Sequence, residues 1–145
     1  MIYLSEFQLL SESDEGGFLQ NFVRTCYDSY YPFQFFPRQK ELSKLSFSDI
    51  TILCGGNGSG KSTLLNIIAE KLELQRDAPF NKTDFFDPYV ECCDYEMVVL
   101  DMEEKRNLMK ASRIITSDDV FKHIIDVRDK NDNISFKICR KSDGA

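Results

Sequence analysis

The sequence predicts an α/β fold, a mostly parallel sheet with flanking helices. Three observations point to it: a short apolar, β-branched run at residues 50–54, a glycine-rich turn directly after it, and an amphipathic stretch beyond the turn. A short, mostly apolar and β-branched run suits a strand buried on both faces, as the strands of parallel sheets are. In the stretch that follows, Leu64, Leu65, Ile67, Ile68, Ala69 and Leu72 leave the polar residues on the opposite side, which predicts a helix reaching about Leu74. At 145 residues the chain is long enough for one domain with a real core, but shorter than a doubly wound domain usually is. We therefore expect residues 1–145 to form a single domain, the N-terminal portion of a fold whose C-terminal half is absent.

The remaining elements follow in order. Residues 2–10 read as a strand, and the polar, glycine-containing residues 11–17 as an acidic loop. Phe18, Phe22, Cys26 and Tyr30 recur at helical spacing and predict a short helix. Pro32 and Pro37 bracket an aromatic cluster of Tyr30, Tyr31, Phe33, Phe35 and Phe36, too stiff and bulky for a helix interior, so an extended segment is expected. Residues 77–88 read as loop with at most one helical turn, Met97-Val98-Val99-Leu100 as strand, and Arg113-Ile114-Ile115 as a short extended piece. Thr116-x-x-Asp119 is a helix-start signature, and Val120, Phe121, Ile124, Ile125 and Val127 supply the apolar stripe after it. The pattern dissolves over residues 129–133 and leaves 134–145 as a tail. No internal repeat or low-complexity linker divides the chain.

Composition excludes several classes. Hydrophobic residues at 42% and charged residues at 29% are those of a globular protein. A formal net charge of -6 argues against a broad electrostatic footprint for DNA or RNA. The five cysteines, Cys26, Cys54, Cys92, Cys93 and Cys139, are odd in number and lack C-x-x-C spacing, so neither a disulfide framework nor a zinc site is indicated. No basic region precedes an apolar run at the N-terminus, and nowhere do about eighteen apolar residues occur together, which leads us to expect a cytoplasmic chain with no membrane segment.

The chemistry is concentrated in one motif. Gly55-Gly56-Asn57-Gly58-Ser59-Gly60-Lys61-Ser62 satisfies G-x-x-x-x-G-K-[ST], the phosphate-binding loop, and Thr63 follows it. Glycines permit positive φ and let backbone N–H groups converge on phosphate oxygens with no Cβ in the way. Lys61 is expected to reach the β and γ phosphates as a mobile point charge, Ser62 to place its hydroxyl on Mg2+, and Thr63 to donate to the α phosphate. The next helix aims its positive end at the same anion. The flanking apolar run and amphipathic helix supply the context the motif demands, so we expect a P-loop NTPase-like fold that binds ATP with Mg2+.

Residues 55–66, GGNGSGKSTLLN, resemble the Walker A segment of ABC-type ATPases more closely than other phosphate-loop classes. Transporter subunits of that family usually carry a Gly-Glu pair just before the strand. Here the approach is Phe47-Ser48-Asp49-Ile50-Thr51-Ile52-Leu53, which looks more like the stand-alone, RecF-like and chromosome-maintenance members. A weaker similarity to small bacterial AAA-type ATPases of this ABC-like kind extends through Tyr31-Pro32-Phe33 and through residues 113–121. The family completes its site with a Gln-containing loop, an LSGGQ-like signature, a Walker B Asp-Glu pair and a switch His, all but the first far downstream of the loop. The resemblance thus implies half of an ATP site, with Lys61 as its catalytic lysine and hydrolysis dependent on parts this chain lacks. It also implies association with another copy or a partner ATPase subunit, and admits nucleic acid as a partner on that ground alone. An adenine-stacking aromatic upstream of the loop is implied as well, for which Tyr31, Phe33 and Phe36 are the candidates.

Weaker signals are read against simpler explanations. The run ending Leu100-Asp101-Met102-Glu103 mimics a Walker B strand, but an apolar run followed by an acid is a common strand ending, so Asp101 and Glu103 stay outside the catalytic set. His123 on the last apolar-periodic helix reads as packing or surface, and Asp118 and Asp119 as helix N-terminal acids. Two alternatives to the ABC-like reading stay open: a self-sufficient small P-loop kinase or NTPase using Asp101, and a non-catalytic, nucleotide-responsive interaction module.

Overall fold

The structure is a computed structural model that describes residues 3–21, 30–37, 43–98 and 101–142, with side chains described as far as residue 132. The elements run β1 (Leu4–Gln8), α1 (Glu12–Gln20), β2 (Lys44–Ser46), α2 (Lys61–Lys71), α3 (Phe86–Cys92), β3 (Asp94–Met97), α4 (Met102–Ala111) and α5 (Ser117–Ser142). The chain divides into two compact units, one of Met1–Gln75 with Asn81–Arg113, the other of Arg76–Phe80 with Ile114–Ala145.

The sheet of the first unit is antiparallel, in the order β2-β1-β3, and not the mostly parallel sheet expected. β1 alternates so that Phe7 is fully buried while Gln8 faces out, and Phe7 lies opposite Leu45 on one side and Tyr95 on the other. The one parallel pairing among the described residues is a single bridge between Gln75 and Arg113, which places part of the expected 113–115 piece but builds no sheet.

Residues 50–54 are not a strand. They run without regular structure, with Ile50 82% and Ile52 78% exposed. A doubly buried strand needs neighbours on both edges and cover on both faces, and among the described residues nothing pairs with this run.

The expected loop at residues 11–17 is helix α1. Ser11 accepts from the Asp14 backbone N–H while the Asp14 carboxylate accepts from the Ser11 N–H, a full capping box, and Glu12, Asp14 and Glu15 put three acids in the first turn. These outweigh the cost of Gly16 and Gly17 inside the helix. The helix expected from Phe18 onward has its first residues inside α1, and residues 22–29 lie outside the described residues. α2 ends at Lys71, one turn short of expectation, and buries Leu64, Ile67, Ile68 and Ala69 along one stripe while Leu65 stays exposed. Each fully buried aliphatic side chain of that kind contributes about 1.5–3 kcal/mol.

α3 begins inside the region read as loop. Pro88 sits in its first turn, where a missing N–H breaks no helical hydrogen bond, and Phe86, Tyr89 and Val90 are buried. Lys82 ties α2 to α3 through Glu70 (2.5 Å) and Asp87 (3.0 Å), and the Lys71 ammonium donates to the Glu91 carbonyl (3.0 Å). β3 precedes the expected Met97–Leu100 strand, of which residues 99 and 100 lie outside the described residues.

In the second unit the Arg76 guanidinium covers the Phe80 ring at 4.1 Å. α5 starts where its signature placed it, with the Thr116 N–H and hydroxyl both donating to the Asp119 carboxylate (2.7 and 2.8 Å). It runs on through residues 129–133 to Ser142, because nothing there forbids helix: the segment holds neither Gly nor Pro. His123 is exposed on it, as are Val120, Phe121, Ile124, Ile125 and Val127. Among the described residues no helix is long and apolar enough to cross a membrane.

Candidate functional site

A helix start normally keeps its orphan N–H groups occupied. α1 and α4 each have a capping box, and all of α1, α4 and α5 carry acids in the first turn. α2 departs on every count: its N-cap is Gly60, no side chain caps it, and no acid lies in its first turn. No side chain occupies its positive end, an arrangement suited to an anion.

The loop in front of α2 holds the shape such an anion needs. Gly58 and Gly60 take left-handed φ of 78° and 86°. A Cβ at Gly60 would lie 2.3 Å from the Phe35 ring, and one at Gly55 would lie 2.6 Å from the Ser59 hydroxyl, so two of the motif's glycines are fixed by close approach. Lys61 folds back over the loop and donates to the carbonyls of Gly55 (2.7 Å) and Gly56 (2.8 Å), and sits 3.2 Å from the Ser59 hydroxyl. Its ammonium is therefore already held over the concavity in which a phosphate chain would lie.

A pocket of about 510 Å³ opens over these residues, lined by Asn57, Gly58, Ser59, Gly60, Lys61, Ser62 and Thr63 with Tyr31 and Phe35. The Tyr31 and Thr63 hydroxyls are hydrogen-bonded to each other. Phosphate oxygens only accept, so with a nucleotide present Thr63 would donate to phosphate while accepting from Tyr31.

The sequence candidates divide sharply here. Tyr31 lines the pocket, whereas Phe33 and Phe36 are buried and pack on Tyr89, which removes both from the adenine-stacking set. Phe35, not singled out from the sequence, lines the pocket instead. No sequence signal separates it from its neighbours: the prolines and aromatics predict an extended segment, where the structure has a turn. Gly55 and Gly56 belong to the loop, though they do not line the pocket. Asp101 is the N-cap of α4, its carboxylate accepting from the Glu104 N–H at 2.7 Å, and lines no part of this pocket. Cys54, Cys92 and Cys93 are free thiols, with burial pushing Cys93 up to about 12, and among the described residues no cluster of metal-ligating side chains occurs.

No significant match is found among curated proteins or among solved structures. A family model described as ABC transporter matches residues 43–141, well over half of the chain and including the whole loop and α2. A loop of this geometry, an uncapped helix behind it and a match of that extent agree on one assignment, with the P-loop NTPase fold and ATP binding that go with it: the chain belongs to the ABC transporter family.

Proposed function

We propose that the chain is an ABC-type ATPase domain that binds ATP with Mg2+ through Gly55, Gly56, Asn57, Gly58, Ser59, Gly60, Lys61, Ser62 and Thr63. The observation that carries this reading is the uncapped, acid-free N-terminus of α2 behind a left-handed glycine loop. Lys61 would exchange its loop carbonyls for the β and γ phosphate oxygens, and Ser62 would present its hydroxyl to Mg2+, which when bound neutralises phosphate charge. Tyr31 and Phe35 line the same pocket, where their rings would contact the base.

Among the described residues lining the pocket none is a carboxylate or a histidine. Turnover needs an aligned water and a group to orient it. Our reading is that these come from outside this pocket, through nucleotide-driven association with another copy or a partner ATPase subunit. The RecF-like, stand-alone branch fits the approach of residues 47–53 better than the transporter branch does, and a cytoplasmic setting goes with it.

Isothermal titration with a non-hydrolysable ATP analogue and Mg2+, followed by phosphate release on the same sample, tests the reading. We expect binding with little turnover. Lys61→Ala should weaken binding by ~100-fold or more, since an ammonium contacting two phosphates is a pair of charge-assisted hydrogen bonds. Unchanged affinity in that variant would sink the assignment.

A further inference from the structure

The turn that carries Tyr31 and Phe35 has an unusual support beneath it. Its rings alternate in direction: Phe33 and Phe36 go into the core, Phe33 stacked on Phe18 at 4.9 Å, while Tyr31 and Phe35 line the loop pocket. Between them stands Gln34, a residue with a Cβ at φ 65°, a conformation that glycine would adopt far more readily. Its backbone N–H donates to Glu15 Oε2 at 2.6 Å. Glu15 comes from α1 and is 3% exposed, the buried charged residue among the described residues, with Oε1 also enclosed and without a hydrogen-bond partner.

Burying this carboxyl costs desolvation that its place in the first turn of α1 does not call for, and the buried oxygen meets the Gln34 N–H. An apolar residue of similar length would fill the space without desolvation cost. The acceptor satisfies one donor, the Gln34 N–H, which an ordinary turn would direct to water or to the main chain. Reversal of Gln34 to a right-handed conformation would swing the following Cα and with it Phe35, whose ring now lies against Gly60.

We propose that Glu15 is a positioning residue for the nucleotide base, holding Gln34 in its left-handed conformation so that Phe35 and Tyr31 stay seated over the phosphate loop. This rests on the nucleotide-binding reading of the same pocket. Glu15 reaches no phosphate itself. Its effect is confined to the part of the ligand that the two rings touch, so ligands with and without a base respond differently.

The test is titration of wild type, Glu15→Met and Glu15→Gln with two ligands in the presence of Mg2+: a non-hydrolysable ATP analogue and inorganic tripolyphosphate. Methionine keeps the volume and removes the acceptor, whereas glutamine keeps an acceptor oxygen. We expect Glu15→Met to lose ~10-fold in affinity for the ATP analogue, the scale of one base–aromatic stack, and to bind tripolyphosphate as wild type does. Glu15→Gln should bind both within about twofold of wild type. Equal weakening of both ligands in Glu15→Met would mean a general structural prop and overturn the proposal, as would no weakening of either. Failure of wild type to bind either ligand would instead overturn the nucleotide reading, and this proposal with it. Should Glu15→Met not fold, amide exchange in wild type decides: the Gln34 N–H should exchange at least ~100-fold more slowly than that of Asn57 in the loop, and equal rates would overturn the proposal.

Discussion

At the scale of single residues, Gly60 and Glu15 show how tightly chemistry restricts a position. Gly60 needs left-handed backbone, room for a ring 2.3 Å from its absent Cβ, and an N-cap that leaves the helix N–H groups open. Glu15 carries the cost of desolvation. Burial, the largest influence, raises its carboxyl above the usual 4.5; the Gln34 N–H opposes that and Glu12 adds to it. The folded chain therefore holds this proton more tightly than the unfolded chain. Its contribution to stability is most favourable below the unfolded value and falls as pH rises through the folded one. Glu15→Gln, which carries no charge at any pH, should accordingly be more stable than wild type at pH 7, with the advantage shrinking as pH drops toward 4.5. Denaturant midpoints of both proteins across that range would check it, and a gap that widens on acidification would contradict the sign. The loop was legible as a motif, because glycine and lysine at those spacings have few other uses, and seven of its nine residues line the pocket. The sequence hid Glu15, which looked like one more surface acid, and it could not tell Phe35 from Phe33, since facing is set by a turn whose partners lie in α1 and α3.

At the scale of elements, end signals were more informative than interiors where they were recognised. Thr116-x-x-Asp119 placed the start of α5 correctly, and the equivalent Ser11-x-x-Asp14 and Asp101-x-x-Glu104 boxes started α1 and α4 at sites taken for a loop and a strand end. Local hydrogen bonding decided those helices against the apolar pattern. α4 buries none of its residues, so its cap supplies a larger share of what holds it. Asp101→Ala is expected to cost about 1 kcal/mol of local helix stability and to leave nucleotide affinity unchanged. Circular dichroism alongside titration would check both halves, and a loss of nucleotide binding would return Asp101 to the site.

At the scale of the whole molecule, family membership was legible from a dozen residues, while the sheet was not. Strand direction depends on which neighbours a strand finds. β1 finds β2 and β3 running antiparallel, and the apolar run at 50–54 finds none among the described residues. Its apolar side chains therefore contribute little to the stability of this chain by itself. Ile52→Lys should change the unfolding free energy by no more than about 0.5 kcal/mol, as an exposed site does. A larger loss would show that the run is packed. The loop behind that run carries a further consequence. Lys61 is bonded to the carbonyls of Gly55 and Gly56, so its ammonium is satisfied within the loop itself. On the proposed reading ATP would draw Lys61 off these carbonyls, so the lysine's share of the binding heat would be the difference between two sets of contacts, smaller than its phosphate contacts alone.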